Sequence, residues 1–332
     1  MNQHRENLRT SFIKDHGWHD ATVSFLAGDA SNRTYYRLEK SSGEQAVLMD
    51  AYGETEKVKE FIEIDHLLED LGCSVPRILG QDLETRFILL EDLGDQTFTQ
   101  CLKEGMAAEP LYTAAVDTLV EIHQKFDITA HPSLPAYDLD HMLEKVNLFL
   151  TWYYPYVHGC DLTPAIRESW EDAWRKALKI LEPAPKTLIL RDYHVDNLLW
   201  LPDRLGIKRC GLLDFQDANL GPTVYDLVSL FEDVRLDVCP AITEKLLDRY
   251  LKNFPILDKD MFMAQYYTAG AQRIVRILGV FLRIFKQTQR DHYLQFLPRA
   301  WKWLENDLKH GNLGDIHLWF EEHFPSGKRD SH

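Results

Sequence analysis

Leu188-Ile-Leu-Arg-Asp-Tyr-His-Val-Asp-Asn-Leu-Leu-Trp-Leu-Pro-Asp-Arg-Leu-Gly-Ile-Lys-Arg-Cys-Gly-Leu-Leu-Asp-Phe-Gln-Asp217 is the stretch on which the rest of the chain is organised. Leu198 to Leu201 is a short apolar run. Pro202, Asp203 and Gly206 are turn residues, and Ile207 to Leu213 resumes with apolar and β-favouring residues. The pattern predicts two short strands around a turn, a hairpin. A hairpin returns the chain to its start. Asp192 and Asn197 before it and Asp214 after it are therefore expected at one end, although 22 positions separate the two aspartates. Two carboxylates and an amide suit a hard cation. Mg²⁺ takes oxygen ligands, usually one or two carboxylates together with substrate phosphates. Asp192 would then accept a proton while Asn197 and Asp214 hold metal. The plainer reading is that these are turn and cap residues, where Asp and Asn are common.

An Asp-x-x-x-x-Asn spacing followed by a later Asp is the division of labour in kinase phosphoryl transfer. On Leu190-Arg191-Asp192-Tyr193-His194-Val195-Asp196-Asn197 and Leu213-Asp214-Phe215, the chain resembles the aminoglycoside phosphotransferase family, which has a protein-kinase-like fold. The family pattern is roughly His-Gly-Asp-x-His-x-x-Asn, a hairpin, then Ile-Asp-Trp/Phe. Here Leu190 and Arg191 stand where that pattern has His and Gly. Within the family, Gly28-Asp29-Ala30-Ser31, Leu48-Met49-Asp50-Ala51, Arg191-Asp192-Tyr193 and Gln272-Arg273 make the chain similar to bacterial cytoplasmic kinases of the anomeric hydroxyl of N-acetylmuramate and N-acetylglucosamine. The resemblance implies ATP and Mg²⁺ as cofactors and Asp192 as the base. It implies Asn197 and Asp214 as metal ligands, and Asp226 as a hydrogen-bonding support of the catalytic loop. His194 would steady that loop or contact phosphate.

At 332 residues the chain is long enough for two lobes with cores of their own. A hydrophobic content of 45% and a charged content of 27% are those of a globular protein. The net charge of −15 disfavours nucleic acid, whose phosphates need a basic face, and anionic membrane surfaces. Cys73, Cys101, Cys160, Cys210 and Cys239 form no Cys-x-x-Cys pair, which argues against a disulfide framework and a zinc site. The N-terminal residues are too charged for a signal peptide, and no apolar run approaches a membrane span. The expectation is a cytoplasmic protein.

Toward the N-terminus, residues 4–16 read as an amphipathic helix, and Val23–Ala27, Thr34–Leu38 and Gln45–Asp50 as strands. The small, polar turn from Gly28 to Arg33 is either a plain hairpin turn or, as the resemblance implies, the loop that covers phosphates. Ser31, Asn32 and Arg33 are its candidate nucleotide contacts. The third strand carries Met49 near the place of the usual phosphate-binding lysine, and the expected partner glutamate on the helix at 56–71 falls near Phe61. The Lys–Glu pair is thus absent or displaced, and Lys57, Lys59 or Arg33 could supply the cation. Arg77–Gly80 and Arg86–Leu90 are two further strands. Glu91-Asp92-Leu93-Gly94-Asp95 reads as a linker in which, by the resemblance, backbone groups of Glu91 and Leu93 would meet an adenine edge.

Toward the C-terminus the pattern is helical. His123 reads as a core or helix-end histidine. Phe149, Trp152, Tyr153, Tyr154 and Tyr156 could stack on sugar rings or fill a helix core. Asp226 opens a helix, where the dipole favours a carboxylate. Arg273, Arg276 and Arg283, with Lys286, form a basic stripe on one helix, suited to a substrate carboxylate or phosphate or to surface ion pairs. The expected fold is α+β, a protein-kinase-like bilobal structure. It has a sheet-rich N-lobe over 1–95 that covers the nucleotide and a helical C-lobe over 96–332 for catalysis and substrate. The expected activity is Mg²⁺- and ATP-dependent phosphorylation of a sugar hydroxyl. An aminoglycoside or choline phosphotransferase, or a nucleotide-binding pseudokinase, are the alternatives.

Overall fold

The computed structural model describes residues 3–28, 33–53 and 55–329. The chain packs as two compact units, Met1–Ile122 with Val195–Asp217, and His123–His194 with Ala218–His332.

Helix α1 (Gln3–Asp15) leads into strands β1 (Thr22–Ala27), β2 (Thr34–Glu39) and β3 (Gln45–Asp50). Helix α2 (Thr55–Asp70) and strands β4 (Ile78–Asp82) and β5 (Phe87–Glu91) follow, then helices α3 (Phe98–Lys103) and α4 (Ala108–Lys125). The five strands form one antiparallel sheet in the order β1-β2-β3-β5-β4. Period-two alternation divides their side chains between two faces. Tyr36, Leu38, Ala46, Leu48, Phe87 and Leu89 form a core with Phe12 and Ile13 of α1. Tyr35, Arg37, Val47 and Met49 take the opposite face of β2 and β3. Arg5 of α1 is buried against Asp50, with its Nε 3.0 Å from Oδ1 and its guanidinium 3.8 Å above the Phe87 ring.

In the second unit come α5 (Leu139–Leu148), α6 (Tyr154–His158), α7 (Pro164–Leu178) and β6 (Lys186–Ile189). The expected hairpin is present as β7 (Leu198–Trp200) and β8 (Cys210–Leu212) and packs in the first unit. There the Leu212 N–H donates to the Ser74 carbonyl at 2.8 Å. Its second strand is shorter than the sequence suggests, because Gly206–Arg209 closes a 3₁₀ turn first. Strand β9 (Asn219–Pro222) pairs antiparallel with β6. The chain ends in helices α8 (Tyr225–Phe231), α9 (Pro240–Asn253), α10 (Lys259–Thr288), α11 (Leu297–Asp307), α12 (Gly314–His323) and α13 (Ser326–Arg329).

The 30-residue α10 is the spine of the second unit and packs against α5, α8 and α11. One π-helical turn, Phe149–Tyr153, separates α5 from α6. It delivers Phe149 onto Tyr153 and Trp170 with ring centroids 4.8 and 5.4 Å apart. Phe149, Tyr153 and Tyr154 are therefore core, not a stacking surface. His123 is half-buried with Nδ1 2.7 Å from the Tyr250 hydroxyl, and burial pushes its pKa down to about 3, as suits a packed histidine. Among the described residues, no helix is long and apolar enough to cross a membrane.

Candidate active site

The first unit holds a cavity of about 410 Å³. Leu26, Ala27, Val47, Leu90, Leu199 and Leu213 make apolar walls, and the Glu91–Asp95 linker borders it. The hairpin explains the polar groups. Leu198 pairs with Leu212, and the Leu213 N–H donates to the Asn197 carbonyl at 2.9 Å, so Asn197 and Asp214 reach the cavity together. Asp214 has a left-handed backbone, φ 58°, and receives a hydrogen bond from Gln216 Nε2 at 2.8 Å. An apolar slot bordered by the linker fits a planar base. One amide and one carboxylate are the donors Mg²⁺ needs when phosphates complete its shell.

The linker side chains are engaged elsewhere. The Glu91 side chain accepts from Arg77 at 3.1 Å and Arg204 at 2.8 Å, and its backbone N–H donates to the Arg77 carbonyl at 2.8 Å, so the expected meeting of that N–H with a ligand is not open in this structure. Arg37 clamps Asp92 at 2.5 Å and Asp95 at 2.7 Å, and those two carboxylates hold its guanidinium above the usual arginine range. Nothing in the sequence pattern marks Arg37, which becomes visible only when β2 is aligned beside the linker. Lys57 pairs with Asp217 at 3.0 Å. Arg33 is buried, with Nη2 3.6 Å from Asp214 Oδ1. Ser31 and Asn32 lie outside the described residues.

The second unit holds the loop after β6. Asp226, at the start of α8, accepts the Leu190 N–H at 2.6 Å and the Arg191 N–H at 2.8 Å. Burial pushes its pKa up to about 7 in spite of those two bonds. Asp192 follows in a tight turn, its N–H on the Leu190 carbonyl at 2.8 Å and its own carbonyl receiving the His194 N–H at 3.1 Å. Burial opposes ionisation of Asp192. Arg276, His194, Arg273 and Arg191 outweigh it and hold the carboxyl below its ordinary value. His194 is buried. Desolvation and the nearby Arg235 push its pKa down to about 4 against the pull of Asp233 and Asp192, so its imidazole is neutral at pH 7.

The basic stripe is not one exposed face. Arg273 is 1% exposed with Nη1 3.5 Å from the Glu232 carbonyl, Arg276 and Arg283 are half-buried, and Lys286 is exposed above the Tyr156 ring. Burial opposes the Arg276 charge, but Tyr225 and Asp192 hold its pKa above the usual range. Helical spacing put the arginines on one side of α10 but could not tell that this side packs inward. The second unit thus brings together Asp192, His194, Asp226, Arg273 and Arg276. The first brings together Arg33, Glu91, Leu93, Asn197 and Asp214. The chain passes from one unit to the other between His194 and Val195.

A family model described as phosphotransferase enzyme family (APH) matches residues 22–260. An N-acetylmuramate/N-acetylglucosamine kinase of Caulobacter vibrioides is 32% identical, over 98% of this chain and 98% of its own. Among solved structures, the ADP-bound aminoglycoside phosphotransferase APH(2'')-Ib superposes with a TM-score of 0.63 at 17% identity, covering 92% of this chain and 97% of its own. A choline/ethanolamine kinase family protein from Mesorhizobium loti gives a TM-score of 0.65 at 13% identity, covering 96% of this chain and all of its own (100%). At such identities the likeness shows the fold, the protein-kinase-like α+β architecture expected from the sequence.

Proposed function

Since the chain belongs to the phosphotransferase enzyme family, it is a small-molecule phosphotransferase that uses a nucleotide, and we propose that it transfers the γ-phosphoryl group of ATP to the anomeric hydroxyl of N-acetylmuramate or N-acetylglucosamine. The observation that carries the reaction is Asp192, a carboxylate kept ionised by the arginines around it. Ionised, it accepts the hydrogen bond of an incoming hydroxyl and takes its proton as the bond to phosphorus forms. Asp226 fixes the backbone on which Asp192 sits. Neutral His194 packs behind Asp192 and steadies the turn. Asn197 and Asp214 hold Mg²⁺, which when bound neutralises charge on the transferred group. Arg276, with Arg273 behind it, reads an anionic substituent such as the lactyl carboxylate of N-acetylmuramate. The substrate class is supported by the relative that matches end to end and carries that name. Such a kinase works in the cytoplasm on a small sugar, with no nucleic acid or membrane partner.

The test is ATP consumption with Mg²⁺ against N-acetylmuramate, N-acetylglucosamine, kanamycin, choline and no acceptor. Turnover should appear with the N-acetyl sugars. Asp192→Asn should lower it about 10²- to 10⁴-fold while nucleotide affinity stays within about twofold. Turnover with kanamycin or choline alone would keep the reaction and refute the acceptor. ATP binding with no turnover on any acceptor would favour a nucleotide-binding regulator.

A further inference from the structure

Resting on the sugar-kinase reading above, with Asp192 as its base, we propose that Gln272, Tyr137 and Tyr225 form a one-way hydrogen-bond chain that positions Arg276 beside Asp192. All of these residues belong to the second unit. Gln272 lies on α10 one turn before Arg276. Tyr137 precedes α5 and is tied to β9 through its N–H, which donates to the Leu220 carbonyl at 2.7 Å. Tyr225 opens α8 beside Asp226, which fixes the catalytic turn. Gln272, Tyr137 and Tyr225 are fully buried, so their polar groups find partners within the protein or go without.

The donors and acceptors set the direction of the chain. Gln272 Nε2 lies 3.1 Å from the Met142 carbonyl and 3.2 Å from the Tyr137 hydroxyl. A carbonyl can only accept, so the amide must turn its nitrogen to Met142, and Gln272 Oε1 is left without a partner. The second hydrogen of that nitrogen goes to Tyr137. The Tyr137 hydroxyl therefore accepts from Gln272 and has its own proton to give. The Tyr225 hydroxyl is 3.3 Å away, with the two rings edge to face and their centroids 5.0 Å apart. Tyr137 donates across that gap. Arg276 bonds the same Tyr225 hydroxyl and, as a guanidinium, can only donate. Tyr225 thus turns lone pairs to both neighbours.

That direction has a chemical use. A carboxylate would hold the arginine and cancel its charge. A phenol oxygen holds it and leaves the charge to act on Asp192. Burial pushes the pKa of the Tyr225 hydroxyl up, so it stays neutral. Burial opposes ionisation of Asp192, and Arg276 is the largest of the charges that overcome it. Gln272, Tyr137 and Tyr225 therefore act on the base through Arg276. They are positioning residues, buried away from the acceptor.

Initial rates of the full-length protein with ATP, Mg²⁺ and N-acetylglucosamine, followed from about pH 4 to about pH 8, test this. The acidic limb of kcat/KM reports ionisation of the base in the free enzyme. Tyr225→Phe should move that limb up by about one pH unit, and Tyr137→Phe by less. Arg276→Met should move it at least as far as Tyr225→Phe does. Adding Tyr225→Phe to Arg276→Met should move it no further, because the phenol acts only through the arginine. A packing defect alone would lower the rate at every pH and leave the limb in place. If circular dichroism shows Tyr225→Phe unfolded, Gln272→Met takes its place, with a smaller shift that also vanishes in the Arg276→Met background. An unmoved limb in the folded variant, or a shift that persists in full beside Arg276→Met, overturns the chain. Wild-type protein inactive on N-acetylglucosamine is a separate result, which overturns the reading on which the chain rests and the chain with it.

Discussion

Arg191 has φ 68° at the position where the family pattern carries glycine. A left-handed backbone costs a residue with a Cβ about 1–2 kcal/mol. The surroundings hold it there. Its N–H is on Asp226, its carbonyl receives Ser229 Oγ at 3.1 Å, its Nη1 is 3.2 Å from Asn219 Oδ1, and its guanidinium lies over Tyr137. Asp214, φ 58°, is another of the four such positions among the described residues, with Arg86 and Gln289. Left-handed non-glycine residues are enriched at functional sites, and two of these four fall beside the proposed base and at the proposed metal ligand. The motif residues were legible because Asp-x-x-x-x-Asn and a later Asp are a spacing. The contacts that hold Arg191 were not, because they join residues far apart in the chain.

Asp65 shows the opposite case, a charge with no spacing signal. It is fully buried on α2, neither carboxyl oxygen has a hydrogen-bond partner, and burial together with Glu69 pushes its pKa up to about 7. The unfolded chain would ionise this group at about 4. Between those values the folded state binds the extra proton, so stability falls as pH rises through the window, and the loss is complete above about 7. Asp65→Asn should therefore raise the melting temperature more at pH 8 than at pH 5. A gain that is the same at both values would show that the carboxyl is not held neutral.

At the scale of elements, α10 is the member whose context the sequence hides. Its length and period are visible, but its burial on several sides is not, which is why Arg273 read as part of a surface stripe. Close approach to α5 is possible because residue 279 is glycine. A Cβ there would lie 2.5 Å from the Leu148 carbonyl carbon and 2.6 Å from the Phe149 nitrogen. These are backbone atoms at the start of the π turn and cannot swing aside. Gly279→Ala should cost about 1–3 kcal/mol in chemical unfolding, with little change in the slope of the denaturant curve. A neutral result would mean that the two helices part easily. The hairpin, by contrast, was legible apart from the length of its second strand. Pro202 and Gly206 mark its turn, and apolar runs on both sides mark its strands.

For the whole molecule, the net charge of −15 and the proposed binding of anionic ligands pull in opposite directions. The structure resolves this locally, gathering Arg191, Arg273 and Arg276 around Asp192 in the second unit and placing Arg33 against Asp214 in the first. Composition argues against a nucleic-acid surface, but it could not locate these few cations. The central claim is phosphoryl transfer from ATP to the anomeric hydroxyl of an N-acetylated amino sugar. The most direct measurement compares turnover of N-acetylglucosamine with that of its 1-O-methyl glycoside, in which only that hydroxyl is blocked. The account predicts steady turnover of the free sugar and none of the glycoside. Equal turnover of both would contradict it.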